Sequence, residues 1–426
     1  MGNRSEVAKF PGARMAGALW RTNMAAKRST SVPSDRGSRS HVFGKVRPNA
    51  AGTFNLHTIP KRDTHFRDLP EPSGKPPFHL DLKSIIPATD YAAIVKAKKL
   101  VFHLNGDMGG INYDVPQTLV AKGMEADFDL KAKPGGNPVF LYVCGDCVYF
   151  NGEVKEYYNQ FYRPYEFYPA AIFAVPGNHD GENLAGGEDS LKGFVRNFCA
   201  AHPTKMPESG DSHRTAMVQP NVYWTLLTPL ASFVGLYSNV PEGGEIKAPQ
   251  TNWLVEQLKS LPTDRPLIVS LHHPIYSADD HHSGSTHMKD VLERATEAAK
   301  RHPDMIVAGH VHNYQRLTKV LEGDAQIPYL VTGAGGYHNL HSIIKVDGQS
   351  MITPVGFKDK TGDPVTLERY VDDHHGFLRL ELTDKLVIGK YFIVPRPHEP
   401  YSKPSKMVDY FEFDWRKKRY VPNSLS

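Results

Sequence analysis

Cysteine is scarce: Cys144, Cys147 and Cys199 are the three in 426 residues, too few and odd in number for a disulfide framework, which excludes a small stapled secreted scaffold. No run of about twenty apolar residues is present to span a bilayer, so no membrane contact is expected. The amino terminus is basic and polar. Its longest apolar piece, at 15–20, is shorter and more broken than a secretory h-region. Met1-Gly2 suggests an acylated start, but Glu6 stands where that pattern wants Ser or Thr. With no export signal visible, the cytoplasm is the default expectation for location. Charge of one sign is lacking too: 50 Lys and Arg face 46 Asp and Glu, a net +4, without the basic patch of a nucleic-acid binder. A solenoid-type repeat is also absent.

What remains describes a globular chain, 40% hydrophobic and 23% charged, long enough for one large catalytic domain with appendages or for two ordinary domains. Residues 1–77 are rich in Arg, Lys, Ser, Pro and Gly with little periodicity, predicting a basic extension that is partly mobile. The main domain is expected over 78–394. A tail over 395–426 is expected to pack on that domain or run extended.

A short helix is predicted over 90–99, with Tyr91, Ile94 and Val95 on one face, before a strand over 100–104. From there one grammar repeats: a buried apolar run stops abruptly at polar residues that can bind metals. Residues 101–104 run into Asn105-Gly106-Asp107, 139–143 into Cys144-Gly145-Asp146, and 171–175 into Pro176-Gly177-Asn178-His179-Asp180. Further on, 267–271 meets His272-His273 and 305–308 meets Gly309-His310-Val311-His312. Helical spacing over 251–260 and 288–301 separates these strands, so the layout is a layered α/β domain whose strand ends converge on one edge. Alternation over 375–394 about Thr383-Asp384-Lys385 predicts a hairpin, and 342–370 reads as a long loop or insertion beside the site.

Asp, Asn and His are oxygen and imidazole donors suited to zinc, iron and manganese. In order, Gly106-Asp107-Met108-Gly109, Gly145-Asp146-Cys147-Val148-Tyr149, Gly177-Asn178-His179-Asp180, Val269-Ser270-Leu271-His272 and Gly309-His310-Val311-His312 resemble the calcineurin-like metallophosphoesterase superfamily. Tyr149, three residues after Asp146, points to its purple acid phosphatase branch. Tyr314-Gln315-Arg316, Trp253-Leu254 and Gly333-Ala334-Gly335-Gly336 add to the likeness, which runs over about 100–337. Gly109-Gly110 departs from it, where the branch carries one glycine, and no amino-terminal sandwich domain like that of the large plant enzymes is visible.

The resemblance implies a four-layer αββα sandwich, two mixed β-sheets packed face to face and flanked by helices. It implies two metal ions. Ferric iron is expected at Asp107, Asp146, Tyr149 and His312, and divalent iron, zinc or manganese at Asp146, Asn178, His272 and His310, with Asp146 shared. Metal-bound hydroxide would then attack a small phosphate monoester and release inorganic phosphate. His179 matches the substrate-facing histidine of the family, and Asp180 beside it is expected to orient that imidazole. His281 and His282 stand at the offsets of two further active-site histidines in plant members, expected to bind phosphate or supply the leaving-group proton.

Some residues carry an alternative. Either His272 or His273 can face the metal, and the family pattern favours His272. Cys144 and Cys147 have C-x-x-C spacing, but they sit where a strand enters a loop rather than opening a helix, and are expected as core. The aromatic residues Tyr157, Tyr158, Phe161, Tyr162, Tyr165, Phe167 and Tyr168 are expected to pack. A phosphodiesterase or nuclease on the same metals is the rival activity. A binding protein that kept the fold without chemistry is the rival class. The sequence leaves oligomeric state open.

Overall fold

The computed structural model describes residues 65–183, 187–358 and 361–422, so the predicted extension lies outside the described residues up to position 64. In chain order the first strands are β1 (His79–Asp81), β2 (Lys99–Asn105), β3 (Phe140–Cys144), β4 (Ala171–Val175), β5 (Trp224–Leu227), β6 (Ser232–Gly235), β7 (Leu267–Leu271) and β8 (Met305–Ala308). They are followed by β9 (Tyr314–Val320), β10 (Gln326–Thr332), β11 (Val355–Lys358), β12 (Pro364–Val371), β13 (Gly376–Thr383), β14 (Leu386–Ile393), β15 (Lys406–Asp414) and β16 (Arg419–Tyr420). One sheet has the order β1-β5-β6-β7-β8-β10-β9-β12-β11 and the other β16-β15-β14-β13-β2-β3-β4. Both are mixed: β2, β3 and β4 run parallel, as do β6, β7 and β8, with antiparallel strands beyond them.

The unbroken apolar runs follow from burial on both faces, since successive side chains of a strand point to opposite sides. Phe140, Tyr142 and Cys144 of β3 enter a central core with Leu100, Phe102 and Leu104 of β2, Phe233 of β6, Ile268 of β7 and Val307 of β8. Phe102 and Phe233 meet edge to face at 5.1 Å across the two sheets. The alternate residues Leu141 and Val143 pack outward on Leu119, Val120 and Met124 of the helix Val115–Ala126. On the other side Leu267, Val269 and Leu271 pack on Leu254 and Leu258 of the helix Ala248–Ser260. There they also meet Met288, Val291, Leu292 and Ala295, one stripe at helical spacing on Thr286–Ala299. Three cores between four layers make the αββα sandwich that the motifs implied.

Local differences from the sequence reading are informative. The first helix spans Ala88–Ala97 and buries Ile94, but Val95 is half exposed, and Lys98 in the left-handed region turns the chain into β2. The stretch 342–370 is not all loop: β11 and β12 form a hairpin in it, and β12 pairs with β9. These strands take their order from the sheet edge that receives them, which a local apolar pattern does not reveal. The aromatic residues Tyr157, Phe161, Tyr162, Tyr165 and Tyr168 are buried around short 3-10 and π turns rather than along a regular helix.

A buried ion pair joins the sheets. Arg316 of β9 donates from Nε and Nη2 to Asp409 of β15, both at 2.8 Å, and the Tyr314 hydroxyl donates to the same carboxylate at 2.8 Å. The guanidinium also lies over the rings of Phe411 and Tyr420, at 5.1 and 5.6 Å. Removing one partner strands a buried charge, so Asp409→Ala is expected to cost about 3–5 kcal/mol in denaturant unfolding. A loss under about 1 kcal/mol would show that the pair does not brace the two sheets.

Candidate metal centre

Five strand ends deliver the polar residues to one place. Asp107 follows β2, Asp146 and Tyr149 follow β3, Asn178 follows β4, His272 follows β7, and His310 and His312 follow β8. Asp107, Asp146 and His310 all adopt positive φ, at 56°, 53° and 67°, so the chain turns sharply just past each of these strand ends. Such backbone costs roughly 1–3 kcal/mol per residue and persists where surrounding contacts impose it. The motif glycines answer to crowding. A methyl group at Gly177 would collide with Asp146 Oδ1, and one at Gly145, itself at φ 95°, with His272 Nδ1.

Donor atoms gather in two adjoining groups. In the first, the Tyr149 hydroxyl is 3.2 Å from Asp107 Oδ1 and 3.3 Å from His312 Nε2, and that nitrogen is 3.4 Å from the same carboxylate oxygen. In the second, Asn178 Oδ1 is 3.0 Å from His272 Nε2 and 3.1 Å from His310 Nδ1, while Asp146 Oδ2 is 3.4 Å from His272 Nε2. Donors about 2.0–2.2 Å from one cation stand about 3–3.5 Å from each other, which is the spacing of both groups.

Proton counting supports a cation here. His272 Nδ1 is 2.8 Å from the Cys144 carbonyl and must donate to it, so a neutral ring would turn the lone pair of Nε2 toward Asn178 and Asp146. Asn178 is oriented too: its amide nitrogen donates to Glu182 at 3.2 Å, leaving the oxygen to face the imidazoles. His312 Nδ1 likewise donates to the Asn339 carbonyl at 2.8 Å, so its Nε2 lone pair faces Asp107 and Tyr149. Tyr149 has one proton for two acceptors. Lone pairs that meet at this range repel unless a proton or metal ion lies between them, so the donor set fits two metal ions.

Charge tells the same story. Burial would push His272 down, but Asp146 and Asp107 lift it to about 9. Burial, with the Asp146 charge adding to it, pushes Asp107 up to about 7. Burial lowers His310 to about 4 and His312 to about 3, so both are neutral and available as ligands at neutral pH. Burial, then the nearby carboxylates, holds the Tyr149 phenol well above its usual range, a penalty that a cation at its oxygen would reverse.

Of the neighbouring residues, His179 is held with its backbone N–H on Asp146 Oδ1 at 3.0 Å and its Nδ1 on the Phe150 carbonyl at 2.9 Å. Its ring is 4.6 Å from that of Tyr149. Asp180 does not have the orienting role expected of it. Its carboxylate accepts from the N–H groups of Cys147 and Val148, each at 3.1 Å, and of Gly177 at 2.9 Å, clamping the loop after β3 to the loop after β4. The two residues sit in the helical turn Asn178–Gly181, where consecutive side chains diverge by about 100°.

His282 reaches the mouth, with its ring 4.6 Å from His310, whereas His281 turns outward, its side chain 60% exposed beside Asp280. His281 therefore stands apart from the donor groups. His273 points behind them, 2.7 Å from the Ser238 hydroxyl, which distinguishes it from His272. The three cysteines are buried and unbonded to each other.

Several neighbours were not foreseen. Tyr337 stacks on Tyr149 at 4.1 Å, and His341 lies 4.3 Å from the His312 ring. Glu242 faces His282 at 3.1 Å and His310 at 3.7 Å. Asp279 accepts the N–H groups of His281 and His282, each at 2.8 Å, and the Asn313 amide at 3.0 Å, joining the His282 loop to the strand end that carries His312. All four come from loops without regular spacing, and only the Gly333–Gly336 run before Tyr337 marked one of them.

Known proteins share the family and the fold of this chain. The model of the calcineurin-like phosphoesterase family matches residues 101–314, half of the chain. A probable purple acid phosphatase of Arabidopsis thaliana is 31% identical over 124 residues, which are 28% of this chain and 27% of that protein. The chain thus matches about a quarter of that relative's length. The structure of a purple acid phosphatase from yellow lupin (Lupinus luteus) seeds superposes with a TM-score of 0.54 at 15% identity, covering 74% of this chain and 54% of that one. No helix among the described residues is long and apolar enough to cross a membrane. The chain belongs to the calcineurin-like phosphoesterase family, and within it resembles the purple acid phosphatase branch.

Proposed function

We propose that the chain is a dinuclear metal phosphatase that hydrolyses small phosphate monoesters and releases inorganic phosphate. The observation that carries this reading is the Tyr149 hydroxyl in one triangle with Asp107 and His312, beside a second group built on Asn178. Asp107, Asp146, Tyr149 and His312 would hold ferric iron. Asp146, Asn178, His272 and His310 would hold a divalent ion, with Asp146 common to both. Bound there, the two cations would supply a hydroxide from water and neutralise phosphoryl charge.

The chain's own residues do the remaining work. Carbonyls of Cys144 and Asn339 fix the tautomers of His272 and His312. Asp180 holds the two loops in register through backbone amides. His179, with Nδ1 committed to the Phe150 carbonyl, exchanges its proton at Nε2 and gives it to the leaving alkoxide. His282 at the mouth would contact the phosphate.

On this reading, an iron-loaded sample absorbs in the visible through the tyrosinate, and Tyr149→Phe abolishes the band. An unchanged band would remove Tyr149 from the ligand set. Nitrophenyl phosphate is expected to be preferred over bis-nitrophenyl phosphate at least tenfold in kcat/KM, about 1.4 kcal/mol of transition-state stabilisation. A preference the other way would make the protein a diesterase. His179→Gln should lower kcat on an alkyl phosphate by about 10²–10⁴-fold and on nitrophenyl phosphate much less, because nitrophenolate leaves without a proton. Equal losses on both substrates would assign His179 to binding instead.

A further inference from the structure

Each imidazole that faces a cation needs an acceptor for the N–H on its far side. His272 and His312 use backbone carbonyls, at 2.8 Å in both cases. His310 differs. Its Nδ1 faces Asn178 Oδ1, so the proton belongs on Nε2, and that nitrogen is buried with no hydrogen-bond partner among the described residues. Facing it, at the ion-pair distance of 3.7 Å, is Glu242 Oε1, and the same oxygen is 3.1 Å from His282 Nδ1.

We infer that Glu242 is a positioning residue that holds two imidazoles at once, His310 for the second ion and His282 for the substrate. The loop carrying it is built for this. Gly244 N–H donates to the Pro241 carbonyl at 2.7 Å, closing a turn with Glu242 and Gly243 at its centre. Gly243 has φ 78°, as the third position of a type II turn requires. Its carbonyl accepts from the Ser285 hydroxyl, the cap of the helix Thr286–Ala299, so the turn is tied to the element that follows His282. Gly244 packs on the other side against Ser238 and His273. The carboxylate is thereby presented at the rim by a braced loop, although its own side chain is 63% exposed.

Carboxylate partners of metal-binding histidines are worth about 10–100-fold in metal affinity. Exposure screens Glu242, so the lower end applies. The inference rests on His310 holding the divalent ion, and the test separates the two. Zinc affinity of the metal-free full chain is measured by competition with a chromophoric chelator, for the parent, Glu242→Ala, Glu242→Gln and Asn178→Ala.

Glu242→Ala should weaken one of two zinc sites about tenfold and spare the other. Glu242→Gln, whose amide oxygen still accepts, should fall between. At saturating zinc, KM for nitrophenyl phosphate should also rise in Glu242→Ala as His282 loses its anchor. Gly243→Ala, which strains the turn but keeps the carboxylate, should shift zinc affinity in the same direction. If Asn178→Ala weakens zinc while Glu242→Ala keeps the parent's affinities, the role of Glu242 is overturned and the site stands. Should neither variant change zinc binding, the reading of the site fails and this inference fails with it.

Discussion

Buried acceptors that face one another need something positive between them, and the site is organised around that requirement. Seven side chains from five strand ends bring carboxylate, phenol, amide and imidazole atoms into two groups whose neighbours stand 3.0 to 3.4 Å apart, the separation that donors to one cation would adopt. The backbone takes part in the crowding, with Asp107, Asp146 and His310 each held in the left-handed region. Carbonyls at Cys144 and Asn339 take the protons that would otherwise relieve it. The carboxylates of Asp146 and Asp107 raise His272 against its burial, so the same negative charge favours any cation held there. Metal uptake at such a site releases protons and weakens as the pH falls.

The architecture makes this crowding affordable. Strands β2, β3, β4, β7 and β8 are buried on both faces, so their carboxyl ends are fixed in space by three cores rather than by the loops themselves. Asp180 then spends a buried carboxylate on backbone amides of two ligand loops. Behind His312, Arg316 and Asp409 pin β9 to the opposite sheet. Gln315 meanwhile accepts from the Ala278 N–H at 2.8 Å and donates to Asn313 at 3.0 Å. This network couples the last histidine motif to the loop of His282, so the mouth of the cleft is not independent of its floor.

Much of the fold was legible because doubly buried parallel strands write themselves as short apolar runs, and each ended in a recognisable donor. The hairpin at Gly376–Thr383 and Leu386–Ile393 was legible from alternation. What escaped notice depended on direction or on distant contact. Asp180 is adjacent to His179 in sequence, yet a helical turn points them apart. Strands β11 and β12 carry weak local patterning and form by pairing with each other and, through β12, with β9. Glu242, Tyr337 and His341 occupy loops whose register against the site is set by tertiary packing. His281 and His282 share one dipeptide and one backbone acceptor in Asp279, and their rings part toward different carboxylates, Asp280 for His281 and Glu242 for His282.

The most direct measurement is diffraction from metal-loaded crystals, with anomalous scattering recorded at the iron and zinc edges. The account predicts two peaks about 3.5–4 Å apart, one beside the Tyr149 hydroxyl and one beside Asn178 Oδ1, with the Asp146 carboxylate between them. A single peak, or metal bound away from those atoms, would contradict it.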